Sequence, residues 1–158
     1  MALSTLDSRL STLDFQLIIM LTKQECDILN SKMHGTMVEA LGIKFLPTDD
    51  DLAWAEMPIN NTTRQYFGIL HGGASLTLAE TVAGAGSVHL TKLDENALVC
   101  GTEVSGTHLT MSPTDGKVYG KARLLHAGHS THVWNVEIVS EDGNVISVER
   151  VTNRILQK

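Results

Sequence analysis

The chain has 158 residues, 42% of them apolar and 19% charged, which suits one ordinary domain with a buried core and excludes a disordered chain. A net charge of −6 argues against a broad nucleic-acid surface, although a local basic pocket for phosphates stays open. The two cysteines, Cys26 and Cys100, lack metal-type spacing and read as free thiols in a reducing, cytoplasmic compartment.

Leu17-Ile18-Ile19-Met20-Leu21 is apolar but far short of the ~20 residues that span a bilayer. It lacks the basic start and small-residue cleavage site of a secretory signal. Residues 1–21 are therefore read as an N-terminal extension dispensable for the fold, and residues 22–158 as a single domain. Thr22 and Glu25 have capping-box spacing, which predicts a helix to about Met33, ended by Gly35. Residues 37–45 and 51–58 read as two strands around the acidic turn Pro47-Thr48-Asp49-Asp50. Asn60-Asn61-Thr62-Thr63 reads as a loop.

A helix of about 30 Å is predicted over residues 72–91. Its apolar residues fall on nearly every side, so it should be wrapped by the rest of the chain. Gly84 and Gly86 each lower helix propensity by about 1 kcal/mol relative to alanine, and close approach of another backbone is the expected compensation. Four strands follow at about 97–111, 117–126, 131–140 and 144–154, with hairpin signals at Thr114-Asp115-Gly116 and Asp142-Gly143-Asn144. Trp134, Val136 and Ile138 alternate with Asn135 and Glu137, as in a half-buried strand. Strands segregated from a central helix make an α+β fold.

Between Arg64 and Lys92 the one formally charged side chain is Glu80. A carboxylate among apolar neighbours is costly to bury without a partner or a task. At the start of the same helix, the amides of Gly72 and Gly73 have no intrahelical partner and carry the positive end of the helix dipole. That end can stabilise an oxyanion developing on a carbonyl, and Gln65 could grip the same oxygen. Glu80 could then serve as nucleophile or as general base towards water. Gly72 and Glu80 lie ~12 Å apart along the helix axis, too far to meet at one carbonyl. Two copies with antiparallel helices would bring Glu80 of one to Gly72 of the other, so a dimer with composite sites is expected.

Plainer readings stand beside these: an exposed helix residue for Glu80, a strand-to-helix turn for Gly72-Gly73, a loop amide for Gln65, a capping residue for His71 and a sheet histidine for His108. The spacing His126, His129, His132 crosses a Gly-containing turn, with no cysteine or nearby acid to complete a metal shell, so no metal is expected.

The run from Gln65 through Val88, above all GILHGGASLTLAET, together with LLHAGHSTHVW, resembles the hotdog-fold acyl-CoA thioesterases. It is nearest the branch with 1,4-dihydroxy-2-naphthoyl-CoA hydrolase and the enterobactin proofreading thioesterase. The resemblance implies a long helix wrapped by an antiparallel sheet, two units per active site, a homotetramer and a CoA thioester substrate, without cofactor, nucleic acid or membrane. It makes Glu80 the catalytic carboxylate and Gly72 the amide that polarises the thioester carbonyl, with Gln65 and His71 placing that carbonyl and the thiol leaving group. His108, Thr81 and Gly73 would contact substrate; His126, Gly128, His129 and Ser130 would meet the CoA nucleotide. Two departures stand out: Gly84 replaces a hydroxyl residue that helps hold the attacking water, a role Thr81 or water could take, and His129 stands where relatives often carry arginine. The competing functions are a hotdog dehydratase or hydratase, whose proline-rich approach to the histidine is missing, and a non-catalytic acyl-CoA-binding protein, whose DNA-binding segment has no counterpart in residues 1–21.

Overall fold

The computed structural model describes residues 21–48, 53–92, 94 and 96–157. The expectations for residues 1–20 and for residues 49–52 fall outside them, but Leu21, read as the end of the dispensable extension, is 1% exposed and belongs to the core. In chain order the elements are α1 (Lys23–Lys32), α2 (Met37–Ala40), β1 (Lys44–Leu46), β2 (Ala53–Pro58), α3 (Gly72–Leu90), β3 (Ala97–His108), β4 (Lys117–Ala127), β5 (Thr131–Ser140) and β6 (Val145–Gln157). The six strands form one sheet in the order β1-β2-β4-β5-β6-β3, every pair antiparallel. The sheet wraps α3, as the resemblance implies. No described helix is long and apolar enough to cross a membrane.

The capping box that predicts α1 is present: the Thr22 amide donates to Glu25 Oε2 at 2.7 Å and the Glu25 amide to Thr22 Oγ1 at 3.2 Å. Glu25 then reaches His89 Nδ1 at 2.8 Å, tying α1 to the far end of α3. The strand expected over residues 37–45 is not there. Met37–Ala40 is a helical turn, followed by Gly42 at φ +71°, and the strand is only Lys44–Leu46. The cause is local: Met, Glu, Ala and Leu favour helix, and Glu39 accepts the Gly35 amide at 2.6 Å, anchoring the turn from its own side chain. The later strands match their expected positions apart from their ends. β3 stops at His108, where the amides of Leu109 and Thr110 both turn to the carbonyl of Ile146, while β6 runs on to Gln157.

The core lies between α3 and the inner face of the sheet. Leu78 and Val82 of α3 meet Val118, Trp134, Val136 and Val151, all fully buried. Each large apolar side chain so buried contributes about 1.5–3 kcal/mol. Gly86 is needed here, but for a side chain rather than the backbone expected: a methyl at Gly86 would fall 2.5 Å from the Trp134 ring. Trp134 Nε1 donates to Ser87 Oγ at 2.9 Å, which satisfies the one polar atom of that indole. Gly84 has nothing within 4 Å of where a Cβ would stand, so close approach does not explain it. It lies instead on a strip of α3, with Gly73, Thr77, Glu80 and Thr81, whose residues are exposed or half-buried.

Candidate active site

Two clusters lie on α3. The first is at its amino-terminal tip. His71 is the N-cap; its backbone amide donates to the Thr63 carbonyl at 2.8 Å, and its Nδ1 accepts the Gly73 amide at 2.9 Å. That contact makes Nδ1 the acceptor, so the neutral ring carries its proton on Nε2. The Gly73 amide is thus occupied from within the chain, while the Gly72 amide has no partner among the described residues. His108, at the end of β3, stands directly against Gly72: a methyl there would fall 2.5 Å from His108 Nε2. Only glycine allows an imidazole this close to the free amide.

Gln65 belongs to the same place. Its backbone amide donates to the Ile69 carbonyl at 2.8 Å, closing a small loop in which Gly68 takes φ +87°. Its Oε1 accepts the Phe67 amide at 3.3 Å, so the side-chain NH₂ is left free to donate. The loop carries Tyr66 and Phe67 at its exposed tip, with ring centroids 3.8 Å apart. Gln65, Gly72, Ser75, His108, Met111 and Ile146 line one cavity of about 410 Å³.

The second cluster surrounds Glu80. Contrary to the expectation of a buried acid, Glu80 is exposed in the single chain, on the strip of α3 that is not fully buried. Its carboxylate rests over Gly101 of β3, where a methyl would overlap Oε1. A β-bulge between Gly101 and Glu103 falls at this point, a common device for turning a strand beside a site. Glu80, Thr81, Gly84, Gly101 and Asn153 form the polar side of a second cavity, about 370 Å³, whose apolar side includes Met33 and Val88. Glu80 and Gly72 line different cavities of one chain, in keeping with their ~12 Å separation along the helix.

His126, Gly128, His129 and Ser130 gather at the β4–β5 hairpin, away from both cavities. The Gly128 amide donates to the Thr131 carbonyl at 2.8 Å, and the Ser130 carbonyl accepts the Ile155 amide at 3.0 Å. His126 and His129 are exposed, whereas His132 turns into the interior and is 6% exposed. Burial, and then His126, hold the pKa of His132 below its ordinary value. The three histidines therefore do not face one point, and no group of three metal-ligating side chains occurs among the described residues.

Sequence reasoning missed the polar residues that β6 turns inward. Ser147, Glu149 and Asn153 are 0%, 1% and 1% exposed; Glu149 and Asn153 alternate with exposed or half-exposed residues, and Ser147 follows the buried Ile146. Ser147 donates to Glu149 Oε1 at 2.6 Å, and burial pushes the Glu149 carboxyl up to about 7 despite that hydrogen bond. Asn153 lines the Glu80 cavity. The period-2 pattern of residues 145–157 held the signal, because it assigns these polar side chains to the same face as Val151 and Ile155.

The chain matches the family model "Thioesterase superfamily" over residues 67–147. It is 41% identical over 130 residues to the proofreading thioesterase EntH of Cronobacter sakazakii, covering 82% of this chain and 93% of that one. Over 130 residues it is 37% identical to the 1,4-dihydroxy-2-naphthoyl-CoA hydrolase of Escherichia coli, with the same coverage of 82% and 93%. Among solved structures, a thioesterase from Haemophilus influenzae superposes with a TM-score of 0.78 at 31% identity, over 84% of this chain and 90% of that one. A mutant thioesterase from Pseudomonas aeruginosa gives 0.81 at 31% identity, over 89% and 99%. By sequence and by architecture alike, the chain belongs to the thioesterase superfamily, with the hotdog fold, and is a thioester hydrolase.

Proposed function

We propose that the protein hydrolyses an acyl-CoA or aryl-CoA thioester to the free acid and CoA, with 1,4-dihydroxy-2-naphthoyl-CoA as the leading aryl substrate. The observation that carries this reading is the unpartnered Gly72 amide, which shares a cavity with Gln65 and His108 at the positive end of α3. The thioester carbonyl oxygen lies between the Gly72 amide and the Gln65 side-chain NH₂, and the charge that develops on it is stabilised there. His71, fixed by the Gly73 amide, presents its Nε2–H as a hydrogen-bond donor towards the sulfur side. Glu80 supplies the acid's half of the chemistry, as base towards water or as nucleophile.

Since Glu80 lies about two helical turns from Gly72, the working unit is a homodimer in which one protomer's tip faces the other's Glu80. The exposed side of α3 supports this arrangement, because Gly73, Thr77 and Glu80 are residues a second α3 would meet. His108 and Thr81 contact the acyl group; His126, Gly128, His129 and Ser130 receive the CoA nucleotide. A thiol-release screen over aryl, short-chain and long-chain acyl-CoA panels tests the substrate class. Turnover confined to long-chain acyl-CoA would overturn the aryl assignment.

A further inference from the structure

Beneath the middle of α3, residues of neighbouring strands meet in register on the inner face of the sheet. Gly101 of β3 is paired with Asn153 of β6, and the Glu80 carboxylate lies over Gly101. Directly paired positions on one face bring side chains within about 4.5–5.5 Å of each other at Cβ. Asn153 is 1% exposed and lines the same cavity as Glu80, Thr81 and Gly84.

The orientation of its amide is fixed from above. Asn153 Nδ2 donates to the Ala83 carbonyl at 3.1 Å and to Ser87 Oγ at 2.9 Å, which uses both of its protons. Ser87 is in turn held by Trp134 Nε1 at 2.9 Å. The amide is planar, so anchoring the nitrogen also aims the oxygen. Oδ1 has no hydrogen-bond partner among the described residues. Asparagine is an unusual occupant of an inward strand position, and its acceptor oxygen, on a side chain that lines the same cavity as Glu80, can take a hydrogen bond from a ligand with protons to donate.

We propose that Asn153 is a water-positioning residue: its Oδ1 and the Glu80 carboxylate together hold the water that attacks the thioester, in the space Gly84 leaves open. The inference rests on the reading that Glu80 drives hydrolysis, and it selects the water route over a covalent intermediate. One O–H of the water points to Glu80 and the other to Asn153, so its lone pair is aimed at the carbonyl carbon. As the new C–O bond forms, Glu80 takes one proton and the carbonyl oxygen becomes the oxyanion. When that intermediate collapses, the C–S bond breaks and the CoA sulfur leaves with the electron pair and recovers the proton from Glu80. Asn153 exchanges neither proton nor electrons; its contribution is orientation.

The test is steady-state thiol release by N153L, E80Q and the double variant G84S/N153L, with thermal unfolding of each. N153L is expected to lose about 10–100-fold in kcat while KM stays within about twofold, as for a group that acts on the attacking water rather than on substrate binding. G84S/N153L should regain at least about tenfold, because a serine hydroxyl at position 84 enters the same space, where a Cβ meets nothing within 4 Å. A merely structural role for Asn153 would lower the unfolding temperature and would not be recovered from position 84. Wild-type kcat in N153L alongside an inactive E80Q overturns the inference and leaves the function intact; full turnover by E80Q overturns both. Should N153L not fold, S87A loosens the same amide without touching the cavity: kcat should fall severalfold at constant KM, and unchanged kcat overturns the proposal.

Discussion

The two ends of the chemistry on α3 are built in opposite ways. At the tip, the chain itself supplies every part: His71 caps the helix, Gly73 holds His71, and His108 closes on Gly72. Around Glu80 the chain supplies a carboxylate, a buried asparagine and a half-apolar cavity, and leaves Glu80 itself exposed. A donor site must be rigid before substrate arrives, since its value lies in dipoles that need no reorganisation. The Glu80 site lacks such closure within one chain, and in the proposed dimer the second copy supplies it. Within one chain the tip has its contacts made; under the proposed function the Glu80 strip is half of a site that a second chain completes.

The largest effect expected from breaking this division is at Glu80. E80Q keeps shape and hydrogen-bonding capacity but removes the proton acceptor, and kcat should fall by about 10²–10⁴-fold with far-UV circular dichroism unchanged. Turnover near that of the wild type would remove Glu80 from the mechanism. The sharpest probe of the division itself mixes two such variants. E80Q and Q65A are each expected to be nearly inactive, yet a heterodimer of the two contains one site with both lesions and one with neither. After subunit exchange, the mixture should recover on the order of a quarter of wild-type activity. No recovery, with exchange verified by native mass spectrometry, would place Glu80 and Gln65 in the same chain's site.

A smaller loss is expected at the tip. G72A keeps the backbone amide, but its methyl lands on His108 and the ring must shift. Misplacement of the donor by a few tenths of an ångström to 1 Å costs up to about 10²-fold in kcat. The unfolding temperature should change little, because His108 is exposed and free to move aside. G72A/H108A should then recover part of kcat by removing the clash, whereas a loss unaffected by H108A would locate the damage in the helix cap.

Much of this organisation is legible in the residue order. The capping box at Thr22, the Asp-Gly turns and the alternation through Trp134 carry α1 and the strand meander, because each depends on neighbours within a few positions. Residues 37–40 were not legible as helix: Glu39 reaching back to Gly35 is a contact that residue types alone do not announce. Gly86 was recognisable as a place of close approach, but that a tryptophan 48 positions later would fill it depends on how the sheet wraps. The same holds for Glu80, whose solitude in an apolar run suggests burial. Its exposure follows from which face of α3 the sheet leaves open. Asn153 was hidden for the converse reason, as one polar residue in a terminal strand whose partner Gly101 is identified only by register.

The smallest expected effect concerns α1, which borders the Glu80 side and not the tip. Leu29 and Met33 line the Glu80 cavity, and Glu25 bonds both the Thr22 cap and His89. Burial by itself would raise the pKa of Glu25, but the hydrogen bonds from Thr22 and then the contact with His89 leave it below its ordinary value of 4.5. A carboxyl whose folded pKa is depressed adds stability that is present above its unfolded pKa and lost as pH falls through the folded one. The wild type should therefore unfold at a higher temperature than E25Q at pH 6, with the gap closing as the pH is lowered below about 4.5. T22A should behave like a lost cap, costing about 1 kcal/mol at neutral pH. If α1 serves the Glu80 half alone, E25Q should change KM for the acyl group more than kcat, since it loosens a wall of the cavity and leaves the tip's donors as they were. An equal loss in kcat at constant KM would mean that α1 and the tip of α3 are coupled through the helix, and the two halves would no longer be separable within one chain.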